Sequence, residues 1–139
     1  MAGNVRNVIT RRVFNLSNVG GSSTQDIPLV RGIDVSSAKA IDMVVRVHAA
    51  TVGASGTIVI HARAISLTNE EPDVDFTNTV DLATATINPT VASAAPTLVL
   101  ETLTPPFGHM ITLFLRGTQP ASPVTLTATL SIDLVTRDN

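Results

Sequence analysis

The sequence has 139 residues, enough for one domain with its own core, and its formal net charge is −2. It contains no cysteine, which excludes a disulfide framework, a thiolate nucleophile and a cysteine-ligated zinc site. Only 14% of the residues are charged, against about 25% in a typical soluble domain, so we expect much of the surface to face neighbouring copies.

The first predicted element is a polar strand over residues 5–16, VRNVITRRVFNL, which is rich in asparagine and arginine. The run NVGGSSTQD at residues 18–26 separates it from the rest of the chain, because such residues favour turns. We therefore divide the chain into an N-terminal arm or edge strand, residues 1–22, and a β-sandwich domain, residues 23–139. As an arm, the first segment would add a strand to a neighbouring subunit.

Two strongly alternating segments follow. In AIDMVVRVH, residues 40–48, apolar side chains recur at every second position, which is typical of a strand with one buried face. TIVIHARAI, residues 57–65, repeats this pattern after a glycine-containing loop. We predict that the two segments form a hairpin in which Val45 pairs with Ile60, because this register matches the apolar and the polar faces of both strands.

The remaining strands are predicted at residues 27–33, 80–87, 97–103, 109–116 and 123–135. The last of these, PVTLTATLSIDLV, is the clearest, since apolar and polar side chains alternate along it. Clusters of Gly, Pro, Asn and Ser separate the segments. Seven to eight short strands with frequent turns predict an all-β fold, an antiparallel β-sandwich for which the jelly roll is one candidate topology.

Four acidic residues lie close together in SLTNEEPDVDF, residues 66–76: Glu70, Glu71, Asp73 and Asp75. Converging carboxylates can bind a cation or act as a catalytic acid pair. However, this segment has no glycine for a calcium loop, and the chain has no Trp or Tyr to build a sugar site. We interpret the segment as a charged loop that leaves a strand at Ser66, returns to the core at Phe76 and contacts a partner through its carboxylates.

Histidine side chains provide the other candidate chemistry. In the predicted hairpin, His48 and His61 lie on one face, where two imidazoles could begin a metal site. Arg46 and Arg63 share that face and would repel a cation, so we predict polar surface residues and no metal. The glycine-containing segments match neither a nucleophile elbow nor a phosphate-binding loop. We therefore predict no enzyme activity and no cofactor.

A longer pattern runs from Ile33 to Phe76: IDVSSAKAIDMVVRVHAATVGASGTIVIHARA, then a polar acidic loop, then the aromatic residue. A D-x-S lead-in precedes a strand with alternating valines, and a glycine-containing loop and a second strand follow. This arrangement resembles small β-sandwich structural proteins of tailed bacteriophage virions, in which the aromatic residue is often Trp. The resemblance implies a capsid decoration protein or a head or tail accessory protein, and it implies no catalytic residues.

We predict a structural protein of a virion or another particle, synthesised in the host cytoplasm, that assembles through surface burial and exchange of strands or arms. Its partners would be copies of itself or other capsid or tail proteins. Without a basic stripe or a long apolar run, we expect no direct nucleic-acid or membrane contact. The candidate interface residues lie in the N-terminal segment and in the TPPFG loop: Arg6, Arg11, Arg12, Pro105, Pro106 and Phe107.

Two alternatives stay open at this point. A carbohydrate- or surface-binding β-sandwich module would need exposed aromatic side chains, and all the aromatic residues of this chain are phenylalanines. A hydrolase would need the acidic cluster to lie in a pocket. Phe107, between Pro106 and Gly108, is either a core residue or an exposed anchor.

Overall fold

The computed structural model describes residues 3–17, 23–51, 56–66, 80–87, 97–105, 107, 110–119 and 125–138. They form eight strands, which are β1 (Gly3–Ser17), β2 (Ser23–Asp34), β3 (Ala40–Thr51), β4 (Thr57–Ser66), β5 (Val80–Ile87), β6 (Thr97–Thr102), β7 (Met110–Gln119) and β8 (Thr125–Arg137). Each strand overlaps one of the alternating segments, so the prediction of seven to eight strands is confirmed.

The strands form two four-stranded sheets. Sheet I has the order β1-β8-β3-β6, sheet II has the order β2-β7-β4-β5, and every pairing is antiparallel. The chain crosses between the sheets at every connection except the one from β4 to β5. The predicted all-β antiparallel sandwich is therefore the observed fold. Within the described ranges, no helix is long and apolar enough to cross a membrane.

The core lies between the sheets and is built by the alternation that the sequence shows. The inward side chains of β3 and β8 are almost fully buried: Ile41, Met43, Val45, Val47, Leu126, Ala128, Leu130, Ile132 and Leu134. On the opposite sheet, β4 and β7 contribute Ile58, Ile60, Ala62, Ala64, Ile111, Leu113 and Leu115. Each larger aliphatic side chain contributes about 1.5–3 kcal/mol when it is fully buried, so these inner faces are the main source of stability.

The predicted hairpin between β3 and β4 is wrong, because the two strands lie in different sheets. Val45 pairs with Val99 of β6 and Ile132 of β8. Ile60 pairs instead with Ala85 of β5. Alternation specifies which face of a strand is buried, and both sheets bury the same kind of face. Matched faces therefore do not identify the partner strand.

A tight turn follows β2 and carries the chain from sheet II to sheet I. The Asp34 carboxylate accepts hydrogen bonds from the backbone N–H of Ser36 at 2.9 Å and from its hydroxyl at 2.7 Å. The Ala38 N–H donates to the Val35 carbonyl at 3.0 Å, which closes the turn. Aspartate favours such turns because its side chain can bond the backbone two residues ahead. The D-x-S lead-in is thus a sheet-to-sheet crossover.

Candidate functional site

Sheet I exposes large apolar side chains on both of its edge strands. Val5 and Val13 of β1 are 69% and 59% exposed, and Leu98 and Leu100 of β6 are 63% and 65% exposed. Among the described large apolar side chains, the only other exposed one is Met110, at the start of β7. The exposed aliphatic side chains are thus concentrated on the two edges of one sheet.

β6 is the short outer strand of sheet I and pairs on one side with β3. Leu98 lies opposite Arg46 and Leu100 opposite Val44, both on the outer face of β3. Glu101 lies on the other face of β6 and is partly exposed. A charge that points inward at a sheet edge discourages indiscriminate strand pairing. The β6 edge therefore combines an apolar outer face with one acidic side chain.

β1 is the opposite edge strand of sheet I, and it is basic. Arg6, Arg11 and Arg12 are all exposed, and the strand contains no acidic residue. The β1–β8 register shifts between Ile9 and Arg12. Here Arg11 has a positive φ of 45°, and its N–H donates to the Ser131 hydroxyl at 3.0 Å. Such a bulge increases the local twist of an edge strand.

The centre of the outer face of sheet I is polar and internally bonded. Arg137 Nη2 donates to Asp42 Oδ2 at 2.7 Å, and the Thr102 hydroxyl donates to Asp42 Oδ1 at 2.8 Å. Asn7 Nδ2 donates to Asp133 Oδ1 at 2.8 Å. These hydrogen bonds join neighbouring strands. The polar centre thus stabilises the sheet, and the exposed apolar side chains lie on the edge strands on either side of it.

An aromatic cluster that the sequence analysis missed lies on the outer face of sheet II. Phe114 points away from the core yet is 0% exposed, because the His61 ring stacks on it with 4.8 Å between ring centres. The guanidinium carbons of Arg63 and Arg116 lie 4.8 and 5.3 Å from the centre of the same ring. The signal was present in MITLFLRG, where alternation places Phe114 among polar side chains.

Two carboxylates complete this cluster. Asp26 accepts hydrogen bonds from Arg116 at 2.8 and 2.9 Å, and these bonds lower the pKa of Asp26 below its ordinary value. Asp81 contacts both Arg63 and His61. Burial lowers the pKa of His61, and its effect exceeds the opposing attraction of Asp81. With each arginine bonded to a carboxylate, the cluster is a structural cover for Phe114.

The predicted placement of His48 and His61 on one face is wrong, since the two side chains lie on the outer faces of different sheets. His48 Nε2 lies 2.8 Å from the Ser131 hydroxyl, and His61 belongs to the Phe114 cluster. The two histidines are separated because β3 and β4 lie in different sheets and do not form a hairpin. In the part of the chain that the structure describes, no group of three or more His, Asp or Glu side chains could hold a metal ion.

The structure separates the other predicted site residues. The three arginines lie exposed on β1, and Pro105 is also exposed. Phe107 is 5% exposed and packs in the core, so it is a core residue and not an exposed anchor. Outside the described residues lie Pro106, Glu70, Glu71, Asp73, Asp75 and Phe76. The interface roles assigned to the arginines, the prolines and the acidic loop stay predictions.

A small cleft opens beside β1 and β8. It has a volume of about 120 Å³ and is lined by Asn4, Arg6, Ile33, Asp34, Ser37, Leu134, Thr136 and Asp138. Pockets for drug-sized ligands usually measure about 300–1,000 Å³, so this cleft is too small for such a ligand. Its position shows that Arg6 lies on the side of β1 that faces sheet II.

Comparison with solved structures finds the same fold in infectious bursal disease virus. A protein in the structure of the Gx strain aligns with a TM-score of 0.60 and 12% identity, over 97% of this chain and 31% of that chain. A protein in the structure of the VP2 subviral particle aligns with a TM-score of 0.52 and 11% identity, over 99% of this chain and 33% of that chain. A protein in the structure of T=1 particles derived from the virus aligns with a TM-score of 0.50 and 12% identity, over 99% of this chain and 32% of that chain.

At these identities the similarity shows the fold alone. This chain spans between 31% and 33% of the length of those three proteins. No protein-family model and no curated protein matches the sequence. The class that the comparisons define is therefore a β-sandwich whose architecture also occurs in proteins of virus particles.

Proposed function

We propose that this protein is a non-enzymatic structural component of a virion, and that it assembles with copies of itself or with other particle proteins through sheet I. The observation that carries the proposal is the alignment of 97% of the chain with a protein of infectious bursal disease virus. Two further matching structures are of a subviral particle and of T=1 particles. Proteins that contain this architecture thus occur in virus-derived particles.

The strand order supports a jelly-roll topology. The order β1-β8-β3-β6 stands against β2-β7-β4-β5, and the chain alternates between the two sheets along most of its length. Eight-stranded jelly rolls occur in viral capsids, but they also occur in lectin domains. The topology is therefore compatible with a particle protein and with a carbohydrate-binding module. The side chains on the surface are the evidence that separates these two functions.

The surface favours the particle protein. A sugar-binding face needs exposed aromatic rings, whereas Phe14, Phe107 and Phe114 are only 2%, 5% and 0% exposed. Of the five exposed large apolar side chains among the described residues, four are aliphatic and lie on the two edge strands of sheet I. Complete burial of Leu98 or Leu100 against another chain would contribute about 1.5–3 kcal/mol each. Contacts of this size become strong when every subunit of a closed particle repeats them.

The finer part of the proposal is that the particle is a tailed bacteriophage and the protein a capsid decoration or head or tail accessory protein. The sequence resemblance between Ile33 and Phe76 supports it. Mass spectrometry of purified virions that encode this chain should find it at a fixed ratio to the major shell protein. Recovery only from the host cytoplasm, with none in purified virions, would contradict this part.

Light scattering after size-exclusion chromatography, followed by electron microscopy, tests the assembly itself. We expect concentration-dependent oligomers or particles, alone or with purified shells. Leu98→Thr combined with Leu100→Thr introduces β-branched residues, which suit a strand, but removes the apolar surface, and it should shift the protein toward monomers. Val59→Thr, on the outer face of sheet II, is the matched control. A wild-type chain that stays monomeric under all these conditions would refute the proposal.

A further inference from the structure

The two edge strands of sheet I are complementary to each other. β1 carries exposed Val5 on its outer face and Arg6 on its inner face. β6 carries exposed Leu100 on its outer face and Glu101 on its inner face. Among the described residues, neither Arg6 nor Glu101 forms an ion pair. At Val5–Arg6 and at Leu100–Glu101, each edge thus offers an exposed apolar side chain beside an inner-face charge, and these two charges have opposite signs; β1 also carries the exposed Arg11 and Arg12.

The strand directions allow the two edges to meet. β1 is antiparallel to β8, β8 is antiparallel to β3, and β3 is antiparallel to β6. β6 therefore runs antiparallel to β1 across the sheet. If a second copy is placed beside the first by translation, its β1 lies antiparallel to β6 of the first copy. The outer faces of the two copies then form one continuous face.

We propose that sheet I continues from one copy of this protein to the next, with β6 of one copy paired antiparallel to β1 of its neighbour. This inference rests on the proposed function and names the contact through which the particle protein would assemble. The register sets Val5 opposite Leu100 of the neighbouring copy. The partner is a second copy of the same chain.

The register follows from the side chains on both faces. With Val5 opposite Leu100 on the outer face, Arg6 lies opposite Val99 on the inner face. Arg6 is then diagonal to Glu101, two positions along β6, and long side chains on neighbouring strands can reach each other at that spacing. The backbone N–H and C=O groups of both edges gain partners in the new ladder.

A symmetric contact satisfies these edges less well. Two β1 strands related by a twofold axis would bring two sets of exposed arginines together, namely Arg6, Arg11 and Arg12. Two β6 strands could pair around Val99, but this contact would leave Val5 of both copies uncovered. The head-to-tail contact uses both edges of every copy. Contacts of this kind close into rings or extend as filaments.

The absence of cysteine from the sequence allows a direct test of the register. Val5→Cys and Leu100→Cys are made as separate variants, one with a larger tag, mixed under assembling conditions and mildly oxidised. Facing Cα atoms in an antiparallel pair are about 4.5–5.5 Å apart, which suits a disulfide. We expect the mixed disulfide as the main product. In the control experiment, Leu100→Cys is mixed with Thr86→Cys instead of Val5→Cys, because Thr86 is exposed on the outer face of sheet II.

The outcomes separate this inference from the proposed function. Assembled protein that forms no mixed disulfide, or that forms mainly Leu100→Cys homodimers, overturns the edge contact and leaves the structural function intact. Wild-type protein that never assembles overturns the proposed function and the contact with it. Mixed disulfide in clear excess over the Thr86→Cys control supports the contact.

A charge exchange tests the Arg6–Glu101 pair independently. Arg6→Glu and Glu101→Arg should each raise the midpoint concentration of assembly by about 1.5-fold to fivefold, as expected for a surface ion pair. The double variant should restore the wild-type midpoint, because every copy carries both edges. Arg12→Glu, which lies outside the paired region, is the control. An additive loss in the double variant would overturn the diagonal pair.

Discussion

Phe114 is an apolar side chain that points away from the core and still has no exposed surface. Its cover consists of His61, Arg63 and Arg116, which are bonded to carboxylates on neighbouring strands. We expect Phe114→Ala to lower the free energy of unfolding by about 3 kcal/mol, the lower end for loss of a buried phenylalanine. Urea denaturation measures this change. Thr86→Ala on the same face should have little effect, and an equal loss in both variants would show that Phe114 is not specifically held.

His61 makes the stability of the same cluster depend on pH. Its pKa in the folded protein lies below the ordinary value of 6.5, because burial disfavours the charged ring beside Arg116 and Arg63 despite Asp81. The unfolded chain therefore binds the proton more tightly than the folded one. The stability is fully present above about pH 6.5 and decreases as the pH falls through that value.

His61→Gln should remove this part of the pH dependence. We expect the urea midpoint of the wild type to fall more than that of the variant between about pH 7.5 and pH 5.5. His48 is present in both proteins, so the comparison isolates His61. Identical slopes in the two proteins would contradict the assignment. Asp26 changes the stability only at lower pH, because its pKa lies below the ordinary value of 3.8.

At the scale of the strands, the sequence was sufficient to predict position and face but not neighbour. Period-two alternation is a local property, so the inward sets of β3, β4 and β8 could be read directly. Pairing depends on where a loop leads the chain. β4 follows β3 in the chain but lies in the other sheet instead of beside β3, and small residues with glycine between two strands are compatible with both arrangements.

The candidate site shows the same limit. The exposed leucines of β6 follow from TLVLET, where three consecutive apolar residues place aliphatic side chains on both faces of the strand. What the sequence does not contain is the position of this strand at the edge of a sheet. The complementarity of β1 and β6 likewise appears only when both are known to be edges of sheet I. The sequence shows the arginines near the N-terminus, but it does not show that Glu101 lies on the opposite edge of the same sheet.

At the scale of the whole molecule, the two sheets approach closely at Gly117 of β7. A Cβ atom added there would lie 2.5 Å from Leu16 Cδ1 of β1, on the opposite sheet. Leu16 is 2% exposed and packed in the core, so it cannot move without displacing its neighbours. We expect Gly117→Ala to cost about 1–3 kcal/mol of unfolding free energy in urea denaturation.

Shortening the opposing side chain should relieve this contact. In Leu16→Val the clashing methyl group is removed, so the double variant with Gly117→Ala should be more stable than the sum of the two single changes by about 0.5–3 kcal/mol. Strict additivity would show that the sheets adjust independently at this point. Because the proposed contact between copies uses the Val5 end of β1, whereas Leu16 lies near the other end of that strand, Gly117→Ala should lower subunit stability while leaving the assembly midpoint unchanged at temperatures where the variant is folded. A shift in that midpoint would mean that the packing between the sheets also determines the geometry of the edges.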